Sequence, residues 1–246
     1  MEVVLKTHRI FLLSPANAAG KRARMLLNTE ADFELARRLH TGGKVTLGEA
    51  FSFMSGLYFR GKLAYARAFA HPPVGLSGAY VITTNQGLIP VETLVTAEEL
   101  NSFSKDLIDA QNRSYSDPLI RTALALSTAT SGDCPLVLLG SIASGKYTDH
   151  LLPIFGELLQ FPLEFVGRGD MSRGGLLLRS AAANRMLAHV PVAGALLKGK
   201  RPPKLIPLRG RKSKISADYT DYADFGLQLR YDFSDKHTFP ARLHFT

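Results

Sequence analysis

Short apolar runs recur along the chain, each closed by a polar or glycine-rich turn, and stretches with helical spacing lie between them. Val3 to Leu13 has the pattern of an opening strand that ends in Ser14-Pro15-Ala16-Asn17. Ala18 to Leu39 has apolar residues at helical spacing, at Ala23, Leu26, Leu27, Phe33 and Leu35, and Thr41-Gly42-Gly43 stops it. Thr46 to Phe69 carries helical signals interrupted at Gly56 and Gly61. Ala79 to Thr83 predicts a second strand, closed by Thr84-Asn85-Gln86-Gly87. Thr96 is placed to cap a helix whose first turn holds Glu98 and Glu99. Pro118 begins a further helix, to about Thr130. Leu136 to Leu139 predicts a third strand, Thr148 to Leu159 a helix, and Leu163 to Val166 a fourth strand.

Strands alternating with helices imply βαβ units, hence a three-layer α/β domain with a mainly parallel sheet flanked by helices. After Gly175 the alternation weakens. Leu176 to Ser180 and Met186 to Val192 suit a hairpin around Ala183-Asn184, whereas Ala181-Ala182-Ala183 favours a helix. His189-Val190-Pro191-Val192 tips the reading to the hairpin. The core domain is placed at residues 1–195. Residues 196–246 form a basic connector, marked by Pro202-Pro203 and Pro207, and an aromatic-rich C-terminal extension packing on the core or a partner.

In parallel sheets ligands bind beyond the carboxyl ends of the strands. The candidate polar turns obey that rule: Ser14 and Asn17, Asn85, Ser141 to Lys146, and Arg168 to Arg173. The most informative is Gly140-Ser141-Ile142-Ala143-Ser144-Gly145-Lys146, between an apolar strand and a helix. Such a junction offers free backbone N–H groups and a positive helix end to an anion. The spacing Gly140-x-x-x-x-Gly145-Lys146 matches most of a P-loop, but Tyr147 stands where a Mg²⁺-binding hydroxyl would be required. A phosphate or sugar-phosphate cradle fits better than a nucleotide triphosphatase, and a structural turn is the alternative. In Gly167-Arg168-Gly169-Asp170-Met171-Ser172-Arg173-Gly174-Gly175, four glycines suggest close approach of the backbone to something. Its arginines can grip phosphate, and Asp170 can orient one of them or serve as a general base. A tight loop with Asp170 paired to Arg168 or Arg173 is the simpler alternative.

Ser55-Gly56-Leu57-Tyr58-Phe59-Arg60-Gly61-Lys62 interleaves aromatic and basic residues. Aromatics stack on bases while cations meet phosphates, although Leu57, Phe59, Leu63 and Tyr65 also suit simple helix packing. No His/Cys/Asp/Glu spacing fits a zinc site, no Ser-His-Asp order is visible, and no cofactor is called for. The candidate catalytic groups are Asp170, Asn85 and Asn17. The candidate phosphate-binding groups are Gly140, Ser141, Ser144, Gly145, Lys146, Arg168 and Arg173.

With 46% hydrophobic residues, 246 residues bury one large core or one domain plus an appendage. The net charge of +9 is uneven. Eight cations and no acid lie in one tract: Lys198, Lys200, Arg201, Lys204, Arg209, Arg211, Lys212 and Lys214. Without them the remainder carries about +1, so the tract is either a footprint for DNA or RNA phosphates or a solvated connector. No window approaches the length of apolar sequence that a membrane span needs. Met1 to Ala19 imitates a signal peptide only faintly, since Lys6, His8 and Arg9 cut its apolar part. The single cysteine, Cys134, fits a small core residue in a reducing, cytoplasmic setting.

Leu57-Tyr58-Phe59, Ala64-Tyr65-Ala66-Arg67-Ala68-Phe69 and Ala79-Tyr80-Val81-Ile82-Thr83-Thr84-Asn85-Gln86-Gly87-Leu88-Ile89-Pro90 resemble a pattern in YaaA-like and related α/β proteins. There a Leu-Tyr … Ala-Tyr-Ala helix precedes an apolar strand ending near Gly-Leu-Ile/Leu-Pro. A later strand with a glycine turn, similar to Leu136 to Tyr147, follows. The resemblance spans about Arg9 to Gly175 and implies an association with nucleic-acid modification or DNA-damage protection, and a distant similarity to uracil-DNA-glycosylase folds. The family's Lys-rich turn after the first strand is displaced here to Lys21 and Arg22, and the basic tail lies outside the pattern. No catalytic residue is carried over.

The leading expectation is a nucleotide- or nucleic-acid-binding protein that acts on a glycosidic or sugar-phosphate bond. Its rivals are a non-catalytic nucleic-acid or protein-binding module, and an enzyme for a small anionic metabolite with the tail used for dimerisation.

Overall fold

The computed structural model describes residues 8–195, 199–200, 202–203 and 205. Strands β1 (Ile10–Leu13), β2 (Ala79–Ile82), β3 (Leu88–Pro90), β4 (Leu136–Leu139), β5 (Leu159–Pro162) and β6 (His189–Pro191) form one sheet in the order β3-β2-β1-β4-β5-β6. β1 pairs in parallel with β2 and β4, and β4 with β5, while β3 and β6 close the two edges as antiparallel strands. Every residue of β1, β2 and β4 is buried. That is the signature of parallel strands covered on both faces, and it explains their unbroken apolar runs.

The helices are α1 (Lys21–Leu27), α2 (Glu34–His40), α3 (Leu47–Ser55), α4 (Leu57–Phe69), α5 (Ala97–Ser102), α6 (Arg113–Ala129), α7 (Thr148–Phe155) and α8 (Asp170–Ala182). α4 packs on β1 and β2, and α8 packs along α4; α6 packs on α7, which lies against β5. Helices on both sides of a mostly parallel sheet make this the expected α/β fold. Among the described residues, no helix is long and apolar enough to cross a membrane.

The chain leaves β1 for β2 on one side and places β4 and β5 on the other. The β1/β4 boundary is therefore the point where the strand order reverses, and a crevice opens outside the carboxyl ends of such a pair. The ladder carries on for one bond past β1, from Ser14 N to Leu139 O at 3.3 Å. Beyond that bond the two chains part.

Several expected elements differ. The single helix over Ala18 to Leu39 is two short ones, α1 and α2. The interruption at Gly56 is real, at φ +62, whereas Gly61 sits inside α4. α6 starts at Arg113 rather than Pro118, because the Asn112 side chain accepts the Ser114 N–H at 3.0 Å and caps it upstream. The fourth strand is Leu159–Pro162, and Leu163–Phe165 is a 3₁₀ turn. α7 ends at Phe155, where Gly156 turns the chain at φ +52 and releases Leu159 to pair with Leu136. The proposed hairpin around Ala183-Asn184 is the end of α8 followed by β6: the alanines hold the helix to Ala182, and β6 pairs with β5 instead. Thr96 and Glu99 form the expected helix start as a reciprocal capping box, and Thr46 and Glu49 form a second.

Candidate functional site

A cleft of about 270 Å³ opens at the β1/β4 boundary. It is lined by Ser14 and Asn17 after β1, Ser141, Lys146 and Tyr147 after β4, Ser55 and Tyr58 from the α3–α4 junction, and Asp170 at the start of α8. A neighbouring hollow of about 10 Å³, room for about one water, is bounded by Gly140, Ser141 and Arg173. Three of the four expected polar turns thus meet at one place.

The helices reach the cleft because α4 and α8 approach to backbone contact. A Cβ placed on Gly61 would lie 2.6 Å from the Gly174 carbonyl oxygen, and one on Gly174 would lie 2.8 Å from the Tyr58 Cα. This corrects the reading of the 167–175 glycines. Asp170 to Gly175 is the opening of α8 rather than a loop, and the object that Gly174 approaches is α4 rather than a ligand. The contact also brings Tyr58 and Lys62, one turn apart on α4, beside Asp170 and Arg173, three apart on α8.

Lys62 lies beneath the cleft, 1% exposed. Its ammonium donates to the backbone oxygen of Ser14 and reaches the Ser14 hydroxyl at 2.8 Å. The Nζ sits 4.3 Å from the centre of the Tyr58 ring and 5.1 Å from that of Phe59. No carboxylate of the described residues is within ion-pair distance of it. Burial drives its pKa down to about 7; Asp170 opposes the shift, and Lys146 and Arg173 add to it. Ser14, 7% exposed, also directs its hydroxyl to Leu139 O at 3.2 Å.

The Tyr58 hydroxyl is buried and has no hydrogen-bond partner among the described residues. Burial raises its pKa to about 12, so the phenol stays protonated. Tyr147, 3% exposed, is pushed up by burial in the same way. Arg173 is held by the Phe165 carbonyl, with Nη2 at 3.2 Å, and its Nη1 lies 3.8 Å from the exposed Asp170 carboxylate. Lys146 reaches over the Tyr147 ring at 5.0 Å, and its carbonyl is anchored by the Tyr115 hydroxyl at 2.8 Å. The result is a cleft with cationic groups at its rim and base, two protonated phenols in its wall and one carboxylate among its lining residues.

Of the candidate catalytic groups, Asp170 and Asn17 line the cleft. Asn17 uses its side-chain oxygen to accept the Ala19 N–H at 3.0 Å, which leaves the amide N–H groups as its free chemistry. Asn85 does not belong to the cleft: its amide donates to Asp106 at 3.1 Å and to Ser102 at 3.3 Å, pinning the chain after α5. Of the candidate phosphate ligands, Ser141 and Lys146 line the cleft, and Gly140 and Arg173 bound the adjoining hollow. Ser144 is exposed outside it. Gly145 supplies a turn at φ +71 against the Asp149 carboxylate. Arg168 is turned away, bonded to Glu164 O at 3.0 Å and Ser172 Oγ at 3.2 Å. In the basic tract Lys200 is exposed, while Lys198, Arg201, Lys204, Arg209, Arg211, Lys212 and Lys214 lie outside the described residues, as does the aromatic tail. Cys134 is buried and its thiol is pushed up to about 11, which agrees with a core role.

Sequence reasoning missed Tyr147, and left Tyr58 and Lys62 undecided. The available signal was Lys62 on an otherwise apolar helical face with Phe59, Leu63 and Ala66, which Lys62 shares as buried neighbours. No groups of three or more His, Cys, Asp or Glu suited to a metal occur among the described residues. Comparison with family models, curated proteins and solved structures finds no match.

Proposed function

We propose that the cleft binds a phosphate-bearing ligand of the nucleotide or sugar-phosphate class and acts on its sugar-phosphate bond. The observation that carries this reading is the meeting, at the strand-order reversal, of the β1 and β4 turns with Lys146, Arg173 and two protonated phenols. Phosphate is the anion that strand-to-helix turns suit best, through free N–H groups and a cation. Tyr58 and Tyr147 supply apolar walls with donors for a sugar or base. The cleft lies at the small end of ligand sites, which favours a single nucleotide or sugar phosphate over a groove for duplex nucleic acid.

Calorimetric titration with nucleoside monophosphates, ribose 5-phosphate and inorganic phosphate tests the reading. Lys146→Ala is expected to weaken binding by about 10- to 150-fold, the equivalent of about 1.5–3 kcal/mol for a charge-assisted contact. The melting temperature should hold, because a half-buried loop cation with no ion pair among the described residues contributes little to folding. A single-stranded oligonucleotide run beside the monomers separates a nucleotide site from a contact made by the 198–214 tract. The tract would give a log K against log salt slope of about 0.7 per phosphate neutralised. Unchanged affinity in Lys146→Ala, or no binding by any of these ligands, overturns the proposal.

A further inference from the structure

We propose that Ser14 is a nucleophile toward phosphorus in this cleft and that Lys62, directly beneath it, accepts its proton. The substrate class, a phosphate ester, rests on the reading above; the Ser14–Lys62 pairing rests on geometry alone. Three observations carry it. Ser14 is both a lining residue of the cleft and the last residue tied to the β1/β4 ladder, so a rigid strand end fixes its position. The Lys62 Nζ is 2.8 Å from the Ser14 Oγ, and no carboxylate of the described residues holds it as an ammonium. The Tyr58 hydroxyl, one turn of α4 before the amine, is buried near Ser14 and Arg173 and makes no hydrogen bond of good geometry among the described residues.

A neutral amine fits this geometry. Lys62 Nζ donates to the Ser14 backbone oxygen and to its Oγ, and the Ser14 hydroxyl donates to Leu139 O at 3.2 Å; with the amine neutral, rotation of that hydroxyl onto the Nζ lone pair, 2.8 Å away, readies its proton for transfer. A structural lysine would be expected to keep its charge beside an acid. Here the charged groups that bear on it are Asp170 and Arg173 from α8 and Lys146 from the β4–α7 turn, and burial with the two cations outweighs the single acid. Burial thus brings the free base within reach near neutral pH.

In the first step a bond forms from Ser14 Oγ to phosphorus, and the bond from phosphorus to the ester oxygen breaks. The hydroxyl proton passes to the Lys62 Nζ and from there to the departing oxygen. In the second step water attacks the phosphoserine, gives its proton to Lys62 and releases phosphate, and the proton returns to Ser14. The Tyr58 phenol is placed to donate to a phosphoryl oxygen as charge builds there.

The test uses the full chain with a fluorophosphonate, which takes an Oγ–phosphorus bond and loses fluoride, read by intact mass and peptide mapping. The expected result is one adduct, on Ser14. Its rate should rise about tenfold per pH unit below 7 and level off above. Lys62→Met should slow labelling by about 100-fold or more. Bis(p-nitrophenyl) phosphate should be cleaved by the same protein, and p-nitrophenyl acetate should not. A folded protein that leaves Ser14 unlabelled, or labelling that is independent of pH and of Lys62, overturns the proposal. If Lys62→Met does not fold, the pH profile of the unaltered protein decides. Cleavage of the acetate alone overturns the assignment to phosphorus. The probe needs no nucleotide site, so labelling of Ser14 without nucleotide binding would sink the ligand-class reading and leave the nucleophile standing.

Discussion

Replacing Lys62 with methionine removes a buried amine while keeping an unbranched side chain of similar length. The amine titrates at about 7 in the folded protein and at 10.5 when solvated. The folded state therefore binds fewer protons than the unfolded state between those two values, and stability rises with pH across that window. Below pH 7 both states carry the proton and the dependence vanishes. The gap of about 3.5 pH units corresponds to about 5 kcal/mol, by which the unpaired ammonium disfavours the fold at neutral pH and below. From pH 7.0 to 8.5 the unaltered protein should gain about 2 kcal/mol relative to Lys62→Met. The check is urea unfolding followed by circular dichroism at half-unit steps, with a constant m-value as the sign that the same transition is compared. The range stops at 8.5 because burial raises the Cys134 thiol from an ordinary 9 to about 11, and its opposite contribution offsets the Lys62 slope above pH 9. Parallel stability–pH curves for the two proteins, within about 0.5 kcal/mol, would refute the claim that Lys62 is desolvated without a paired acid.

Two further changes address the frame around the site. Gly174→Ala sets a methyl against α4 backbone with no flexible atom to yield; it should cost about 1–3 kcal/mol by thermal unfolding despite the better helix propensity of alanine, and no loss of stability would mean that α4 and α8 do not pack at this distance. His189 is held neutral by burial, at about 4, with its Nε2 3.0 Å from the Tyr65 hydroxyl. The unfolded state takes up its proton first as pH falls from 6.5 toward 4, so stability should drop over that window by up to about 3 kcal/mol. His189→Gln should flatten the acid limb of an unfolding-pH curve, and an unchanged limb would place the acid sensitivity elsewhere.

The central sheet was legible because a strand buried on both faces has no alternative to an apolar run. Ile10 to Leu13, Ala79 to Ile82 and Leu136 to Leu139 needed no tertiary information. The edges were not legible. β3 is a three-residue strand folded back from β2 by Gly87, and β5 hides behind a 3₁₀ turn after α7. The turns after β1 and β4 were found because the site lies where strand ends must lie. The remainder of the site comes from α4 and α8, whose meeting depends on Gly61 and Gly174, residues 113 positions apart. From the sequence those glycines suggest a helix interruption and a ligand loop. Only the packed pair shows that each makes room for the other, and that this contact delivers Tyr58, Lys62, Asp170 and Arg173 to one cleft.

The place of Lys62 ties the fold to the chemistry. Where β1 and β4 separate, the Ser14 carbonyl points away from the ladder and needs a donor, which an N–H or hydroxyl could supply at small cost. The chain uses a lysine, brought in on a helix that presses its backbone against α8, and among the described residues no acid pairs with it. A penalty of about 5 kcal/mol is a third or more of the net stability of an ordinary domain. A selection for stability alone would favour an apolar residue or a paired charge at that position. Departures from local rules of this size belong at sites where a strained or desolvated group is used. Here the departure coincides with a buried phenol that has no well-formed hydrogen bond among the described residues, a serine fixed at a strand end and the cations Lys146 and Arg173 nearby. Each of these has a structural explanation when taken singly. Their convergence on the one crevice that the strand order creates is what favours a reactive centre over a packing solution.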